Sequence, residues 1–362
     1  MLDAKKIIKI LKKNKIKFVT GVPDSVLKNL TNQISSDNYF KHIIVPNEGT
    51  AVAAGIGYNL ATKKIPLIYF QNSGLGNAVN PIISLTNKKI YSTAFLYFIG
   101  WRGAPSIKDE AQHIPNGIIT KRLLKLLDIQ FHEINKNEDL GKISQAISLV
   151  KKNIPQCILF KKDTISGESK IKKNKYILQK DDVFNEIYKN IKGKAYIFGS
   201  TGFNSRSLYN YKNVNKNKNI KCFYLVGGMG HTYAMSNIFS HLKKNKKVIC
   251  IDGDGSFLMH LGSIIMNTSY KNNLIYILFN NQCHDSVGGQ KTNIENLKLN
   301  KLSKLFGFNK YLYCSNKRDL SINFKNIQNN NKSIFFDCRI ANEIQKLPRP
   351  ENFISIKNQF IL

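Results

Sequence analysis

Residues 248–292 read VICIDGDGSFLMHLGSIIMNTSYKNNLIYILFNNQCHDSVGGQKT. Two short apolar runs, 248–251 and 274–279, have the length and composition of buried parallel strands. A helix-like segment, roughly 257–270, lies between them, so the stretch reads as strand, loop, helix, strand. The first run leads into Gly253-Asp254-Gly255-Ser256 and the second into Asn280-Asn281. Ligands of open parallel sheets bind outside the carboxyl ends of the strands, which puts both polar clusters on one edge.

These residue types suit a hard cation that holds a diphosphate. Mg²⁺ takes about six oxygens in near-octahedral geometry, usually from one or two carboxylates plus phosphates and water. Asp254 offers a carboxylate, Asn281 an amide oxygen, and the main-chain carbonyl of Cys283 comes next in the turn. Gly253 and Gly255 let the backbone approach a charged ligand closely. Ser256 is expected to open the helix, where free N–H groups and the helix dipole favour a phosphate. A lone Gly-Asp-Gly is an ordinary strand-to-helix turn. Paired with Asn280-Asn281 about two dozen residues further on, it resembles the signature of the thiamine diphosphate enzymes.

The rest of the chain is compatible with an enzyme of that kind. Its 362 residues, 42% of them hydrophobic, suffice for two ordinary domains. No apolar run reaches the ~18 residues of a membrane span, and the Lys-rich start lacks the apolar core of a signal peptide, so neither is expected. The net charge of +32 invites a nucleic-acid reading. The lysines are scattered among Asn and Ile, however, with few arginines and no aromatic interleaving, so no nucleic-acid or membrane partner is expected. The charge can still concentrate an anionic substrate. None of the six cysteines forms a C-x-x-C pair, and several sit in apolar runs, which points to a reducing cytoplasm rather than disulfides or zinc.

Taken in order, the chain alternates strands and helices, the pattern of an α/β fold with two doubly wound parallel-sheet domains. Residues 1–165 form the expected first domain, 166–180 a polar Lys-rich linker, and 181–362 the second domain. Expected strands at 17–20, 42–45, 65–70 and 91–99 each end in a polar loop. These loops carry Asp24-Ser25, Glu48, Asn72-Ser73-Gly74 and Trp101-Arg102. A helix over 49–61 follows Glu48. In the second half, strands at 195–199 and 221–226 end in Ser200-Thr201-Gly202 and Gly227-Gly228-Met229-Gly230, and a last strand covers 333–337. Neither half shows a tandem repeat.

Several longer stretches are similar to the phosphonopyruvate decarboxylases, a family of thiamine diphosphate-dependent enzymes. They are GVPDS at 21–25, NEGTAVAAGIGYNLAT at 47–62, QNSGLGNAVNP at 71–81, GWRGAPSIKDEAQH at 100–113, STGFNSRSL at 200–208, VGGMG at 226–230, NNQCHDSVGGQKT at 280–292 and PRP at 348–350. The related sulfopyruvate decarboxylases share much of this, usually as two short subunits, and one continuous chain favours the phosphonate family. The chain departs from the family pattern at Ala104, Ser207, Gly228 and His231, which bears on substrate range rather than on cofactor chemistry.

The resemblance implies the thiamine diphosphate-binding fold: a pyrimidine-binding domain, then a diphosphate-binding domain. Thiamine diphosphate and Mg²⁺ are the implied cofactors. Glu48 is the implied catalytic acid, hydrogen-bonding the aminopyrimidine ring so that the cofactor's own amino nitrogen can take the thiazolium proton. Gly227 would offer its carbonyl to that amino group, and Met229 would prop the bent cofactor. Ser73, Gly253, Asp254, Gly255, Ser256 and Asn281 complete the cofactor contacts, with Asp254, Asn281 and Cys283 on the metal. Asp24, Ser25, Arg102, Lys108, His113 and His284 are the candidate contacts to a small anionic 2-oxo acid. The implied reaction converts 3-phosphonopyruvate to phosphonoacetaldehyde and CO₂, on the way to 2-aminoethylphosphonate. The implied assembly is a homodimer or higher, with each site shared between subunits. A sulfopyruvate or other 2-oxo acid decarboxylase, or a non-catalytic cofactor-binding subunit, are the alternatives.

Overall fold

Continuous apolar runs bounded by polar loops become strands buried on both faces. The computed structural model of the chain describes residues 1–167, 173–269, 272–327, 332–342 and 347–361. It divides into two compact units, Met1–Ile171 with Val287–Gln290, and Lys172–Ser286 with Lys291–Leu362. The first unit holds β1 (Leu2–Asp3), β2 (Phe18–Gly21), β3 (Lys41–Ile44), β4 (Leu67–Gln71), β5 (Leu96–Trp101), β6 (Gln130–Ile134), β7 (Gln156–Lys161) and β8 (Ile165–Ser166). β1 and β8 pair as a small parallel ribbon, and the other six form one parallel sheet in the order β3-β2-β4-β5-β7-β6.

The second unit holds β9 (Ala195–Gly199), β10 (Ile220–Tyr224), β11 (Lys247–Gly253), β12 (Ile275–Asn280), β13 (Lys310–Cys314) and β14 (Ile334–Arg339). Its parallel sheet runs β10-β9-β11-β12-β14-β13. Counted along the chain, both main sheets therefore lay their strands in one order: second, first, third, fourth, sixth, fifth. The direction of winding reverses at the first strand. That switch point places a crevice outside the carboxyl ends of β2 and β4 in one unit, and of β9 and β11 in the other.

The period-2 alternation of strands explains the two-sided core. Ile197, Ile249, Ile251, Ile275 and Ile277 face one cluster, closed by Phe184, Leu208 and Phe324 from helices. Their neighbours Tyr196, Phe198, Val248, Cys250, Tyr276 and Leu278 face another, closed by Tyr233, Phe257 and Phe360. In the first unit Val19, Leu67, Tyr69, Leu96 and Phe98 pack on the helices Ala4–Lys13, Lys28–Ser35 and Gly141–Lys151. On its other face the helix Glu48–Thr62 approaches the sheet so closely that a β-carbon on Gly55 would lie 2.9 Å from Ile68.

Some expected elements change. The helix expected over 257–270 begins earlier and breaks: Asp254–Met259 is helical, Leu261–Ile265 is a 3₁₀ turn, and Met266–Ser269 is a last short turn. Tyr270 lies outside the described residues. The break falls at His260, whose ring Nδ1 hydrogen-bonds the Met259 carbonyl at 2.8 Å while its backbone turns to φ −132°. The strand expected from 91 starts at Leu96, because Ser92 takes a left-handed φ of 50°. Edge strands β6 and β13 were not anticipated. Within the expected linker, Ser166 belongs to β8, Leu178 bridges to Ile340, and Lys180 opens the helix Lys180–Asn190. Residues 168–172 of that linker lie outside the described residues. Among the described residues no helix is long and apolar enough to cross a membrane. All six cysteines are free, and all but Cys283 are buried.

Candidate active site

In the first unit the loops after β2, β3, β4 and β5 all leave the carboxyl edge. Asp24 follows β2 and is 1% exposed. Its Oδ2 accepts the Val26 and Leu27 amides at 3.1 and 3.0 Å, while its buried Oδ1 has no partner. Burial pushes the carboxyl up to about 6, against the Leu27 amide and the nearby Arg102 charge. A carboxylate kept in this state is costly and therefore a functional candidate.

Glu48 is the first residue of the helix Glu48–Thr62, capped by the Asn47 side chain, which accepts the Thr50 amide at 2.8 Å. Only 5% exposed, its carboxyl is raised by burial, against a 2.8 Å hydrogen bond from Asn77 Nδ2 to its Oε2. Gly74, after β4, makes room for it: a methyl there would overlap the carboxyl and come within 2.5 Å of Glu48 Cγ. Ser73 beside it is exposed, and its hydroxyl accepts from Gln71 at 2.7 Å. The adjoining Asn72 pairs with the Arg102 backbone in both directions, at 3.0 and 2.9 Å, and so fastens the tip of β4 to that of β5.

Arg102 is buried by an acidic clasp that its own loop supplies. Its Nε and Nη2 donate to the Asp109 carboxylate at 2.8 and 2.5 Å, Nη2 also to Glu110 Oε1 at 3.2 Å, and Nη1 to Ser25 Oγ at 2.9 Å. Asp109 further accepts the Gly103 and Glu110 amides, each at 2.8 Å, and bonds His113 Nδ1 at 3.0 Å. Burial alone would raise Asp109; the bonds from Arg102 and these amides outweigh it and hold the carboxyl far below its usual range. His113 is lowered by burial and by the Arg102 charge, against Asp109. Ser25, Arg102 and His113 are thus brought together, whereas Lys108 is exposed and supplies none of these bonds.

In the second unit the tips of β11 and β12 converge. Asp254, 3% exposed, accepts Thr292 Oγ1 at 3.0 Å, the Gly255 amide at 2.9 Å and the Gln282 amide. Burial pushes it up to about 7, those bonds opposing the rise and the Asp285 charge adding to it. Gln282 turns the chain with a left-handed φ of 65°, and Asn281 Oδ1 accepts the Cys283 amide at 3.1 Å. Asn281 Nδ2 and the Cys283 thiol both donate to Asp285, at 2.5 and 2.9 Å. A buried carboxyl, an amide oxygen and turn carbonyls make an all-oxygen donor set, which fits a hard divalent cation.

The glycine-rich turn after β10 meets the same edge. Gly228 and Gly230 have φ of 64° and 87°, conformations that favour glycine. The Gly230 amide donates to Ser256 Oγ at 3.0 Å, so Ser256 ties this turn down from the third position of its helix rather than opening that helix. The opening residues are Gly253 as cap and Asp254, since the chain already turns helical at the end of β11. A β-carbon on Gly255 would lie 2.6 Å from the His284 ring and 3.3 Å from Met229 Cε, so Gly255, His284 and Met229 form one close-packed floor. Burial lowers His284 to about 4 and keeps it neutral. Gly227 lies in the same turn.

Sequence reasoning missed Asn77, Asp109, Glu110 and Thr292 as partners at these edges. All four lay inside quoted motifs whose other residues alone were read; Asn77 was visible there as a polar residue in a small-residue helix, one turn beyond Gly74.

Comparison with known proteins bears on both units. The family model for the thiamine pyrophosphate enzyme N-terminal TPP binding domain matches residues 3–120, and that for the C-terminal TPP binding domain matches 185–338. A phosphonopyruvate decarboxylase of Streptomyces viridochromogenes is 29% identical over 324 residues, 84% of this chain and 79% of that one. A sulfopyruvate decarboxylase subunit alpha of Methanococcus maripaludis is 33% identical over 153 residues, 42% of this chain and 89% of that one. A sulfopyruvate decarboxylase of Methanosarcina acetivorans is 24% identical over 313 residues, 79% of this chain and 78% of that one.

Proposed function

The chain belongs to the thiamine pyrophosphate enzymes, and from that premise we propose that it decarboxylates 3-phosphonopyruvate to phosphonoacetaldehyde. The coarser statement, a thiamine diphosphate-dependent decarboxylase, rests on matches to both halves and on decarboxylase relatives. The substrate rests chiefly on one observation: the alignment to a phosphonopyruvate decarboxylase runs through both halves at 29% identity. Continuity of the chain does not discriminate by itself, because the sulfopyruvate decarboxylase of Methanosarcina acetivorans aligns over a similar span at 24%. The sulfonate acid is therefore the second reading.

The residues present fit the cofactor. Asp254, Asn281 and the Cys283 carbonyl would hold Mg²⁺, and Ser256 and the Gly253–Gly255 backbone would face the diphosphate. Met229 and the Gly227 carbonyl would face the rings. When bound, thiamine diphosphate supplies an electron sink beside the substrate's keto carbon. Glu48 offers a carboxyl that burial shifts toward its protonated form, with Asn77 fixing the group and Gly74 leaving it space. Ser25, Arg102 and His113 hold the substrate's anionic groups, and Asp24 stands at the same edge. In the net reaction the bond between the carboxylate and keto carbons breaks, CO₂ leaves, and a proton takes its place. The working assembly is a homodimer or higher, in which Glu48 of one copy serves the Asp254 edge of another.

Rates of CO₂ release from phosphonopyruvate and sulfopyruvate, measured side by side on the holoenzyme, test the reading. A higher kcat/KM for phosphonopyruvate is expected; faster turnover of sulfopyruvate overturns the substrate.

A further inference from the structure

Part of the stretch expected to be a plain linker is built into the second unit, against the loop assigned to the metal. Along 173–178 every other residue turns inward: Asn174, Tyr176 and Leu178 are buried or half-buried, whereas Lys173, Lys175 and Ile177 are exposed. Leu178 bridges to Ile340 in parallel, and its carbonyl accepts the Ala341 amide at 2.8 Å, so the segment runs beside the chain that leaves β14. Asn174 bonds through every group of its side chain. Its Nδ2 donates to the Asn281 and Ile340 carbonyls, both at 3.0 Å, and its Oδ1 accepts the Tyr176 amide at 3.2 Å. Those two carbonyls lie one residue past Asn280 and Arg339, the last pair of the ladder between β12 and β14. A side-chain amide takes over there as their donor. The Asn174 backbone amide donates to Asn342 Oδ1 at 2.8 Å, and the Asn342 side chain in turn bonds the side chain of Cys283.

Resting on the cofactor reading above, we infer that Asn174 is a positioning residue for the metal loop and sets how well the site fits Mg²⁺. It reaches two of the three groups assigned to the ion. It holds the main chain of Asn281, whose side-chain oxygen is one of them, and through Asn342 it holds Cys283, whose carbonyl is another. Asp254, the third, is fixed independently by Thr292 and by the Gly255 and Gln282 amides. Groups that orient a metal's ligands tune its affinity without touching it. Mg²⁺ demands a near-ideal octahedron, whereas Ca²⁺ accepts irregular sets of six to eight oxygens. Loosening two ligands out of three therefore penalises Mg²⁺ more than Ca²⁺.

The test is calorimetric binding of thiamine diphosphate to the full chain, once with Mg²⁺ and once with Ca²⁺, for the parent and three variants. Asn174→Ala is expected to weaken Mg²⁺-supported binding about tenfold and Ca²⁺-supported binding about twofold, so that the ratio between the ions falls about fivefold. Asn174→Asp keeps the acceptor for the Tyr176 amide but loses the donor to Asn281, and is expected to lose at least as much. Tyr176→Phe removes only the 3.5 Å contact of Arg339 Nη1 with the hydroxyl, on the same segment, and is expected to bind like the parent with both ions. At saturating Mg²⁺ and cofactor, kcat of Asn174→Ala should stay within about twofold of the parent, because the loss lies in loading the site. Equal losses with the two ions, unchanged binding in both Asn174 variants, or the same loss in Tyr176→Phe overturn the role of Asn174 while the cofactor reading stands. A parent that binds thiamine diphosphate equally with and without a divalent ion overturns the metal assignment, and the role of Asn174 with it.

Discussion

Replacing Asp24 by asparagine separates the cost of a functional carboxylate from its use. The carboxyl titrates at an ordinary 3.8 when unfolded and at about 6 in the fold, where burial dominates. A carboxyl raised by folding gives stability that is full below the unfolded value and lost as pH rises through the folded one. At about 1.4 kcal/mol per pH unit, the ionised Asp24 costs the fold about 3 kcal/mol at pH 7. The side-chain amide of the Asp24→Asn variant does not titrate, and its oxygen can keep the Val26 and Leu27 bonds. Its N–H groups point where Oδ1 has no partner, which costs about 1–2 kcal/mol at any pH. The variant is therefore expected to be the more stable protein at pH 7 by about 1–2 kcal/mol.

The decisive part is the slope. Between pH 4.5 and 7 the difference between variant and parent should grow by about 2 kcal/mol in favour of the variant, about 1 M in urea midpoint. Trp101, the single tryptophan, is buried in the same unit, so its fluorescence follows the right unfolding transition. A flat difference, or one that favours the parent as pH rises, would show that the Arg102 charge outweighs burial and would refute the reasoning. Turnover of the variant should fall at least tenfold despite the gain in stability.

Other substitutions probe the remaining contacts. Gly74→Ala forces the Glu48 carboxyl aside, so turnover should drop at least a hundredfold while cofactor affinity changes only a few-fold; unchanged kcat would mean that Glu48 has another place to go. Asp254→Ala removes the buried carboxylate of the all-oxygen set and should weaken Mg²⁺-dependent thiamine diphosphate binding at least a hundredfold, with equal affinity by calorimetry as the contrary result. Gly255→Ala drives a methyl into His284 and Met229 and should lower cofactor affinity with little loss of secondary structure by circular dichroism; a variant that binds normally would remove that floor from the site.

The parts legible in sequence were those in which one face of chemistry repeats. β9, β11, β12 and β14 are buried on both sides, so their unbroken apolar runs announced a doubly wound sheet, and polar residues at strand tips announced its edge. The edge strands β6 and β13, QFHEI and KYLYC, are half exposed; their polar residues hide them among loops. The break at His260 comes from a ring bonding to the carbonyl before it, a local competition that periodicity does not record. Asp109 and Glu110 stood in plain view, but a charged loop looks the same whether its ions are solvated or locked together. That Val287–Gln290 joins the first unit depends on contacts of Gln290 with Thr31 and Asn32, more than 250 residues away in the chain. No local pattern carries that pairing.

The most direct measurement is CO₂ release from phosphonopyruvate by Glu48→Gln, saturated with thiamine diphosphate and Mg²⁺, beside the parent protein. The expected result is cofactor binding within a few-fold of the parent and turnover lower by about a hundredfold or more, the usual weight of a positioned acid. Full turnover by the variant, or release by the parent that is indifferent to thiamine diphosphate, would contradict the account.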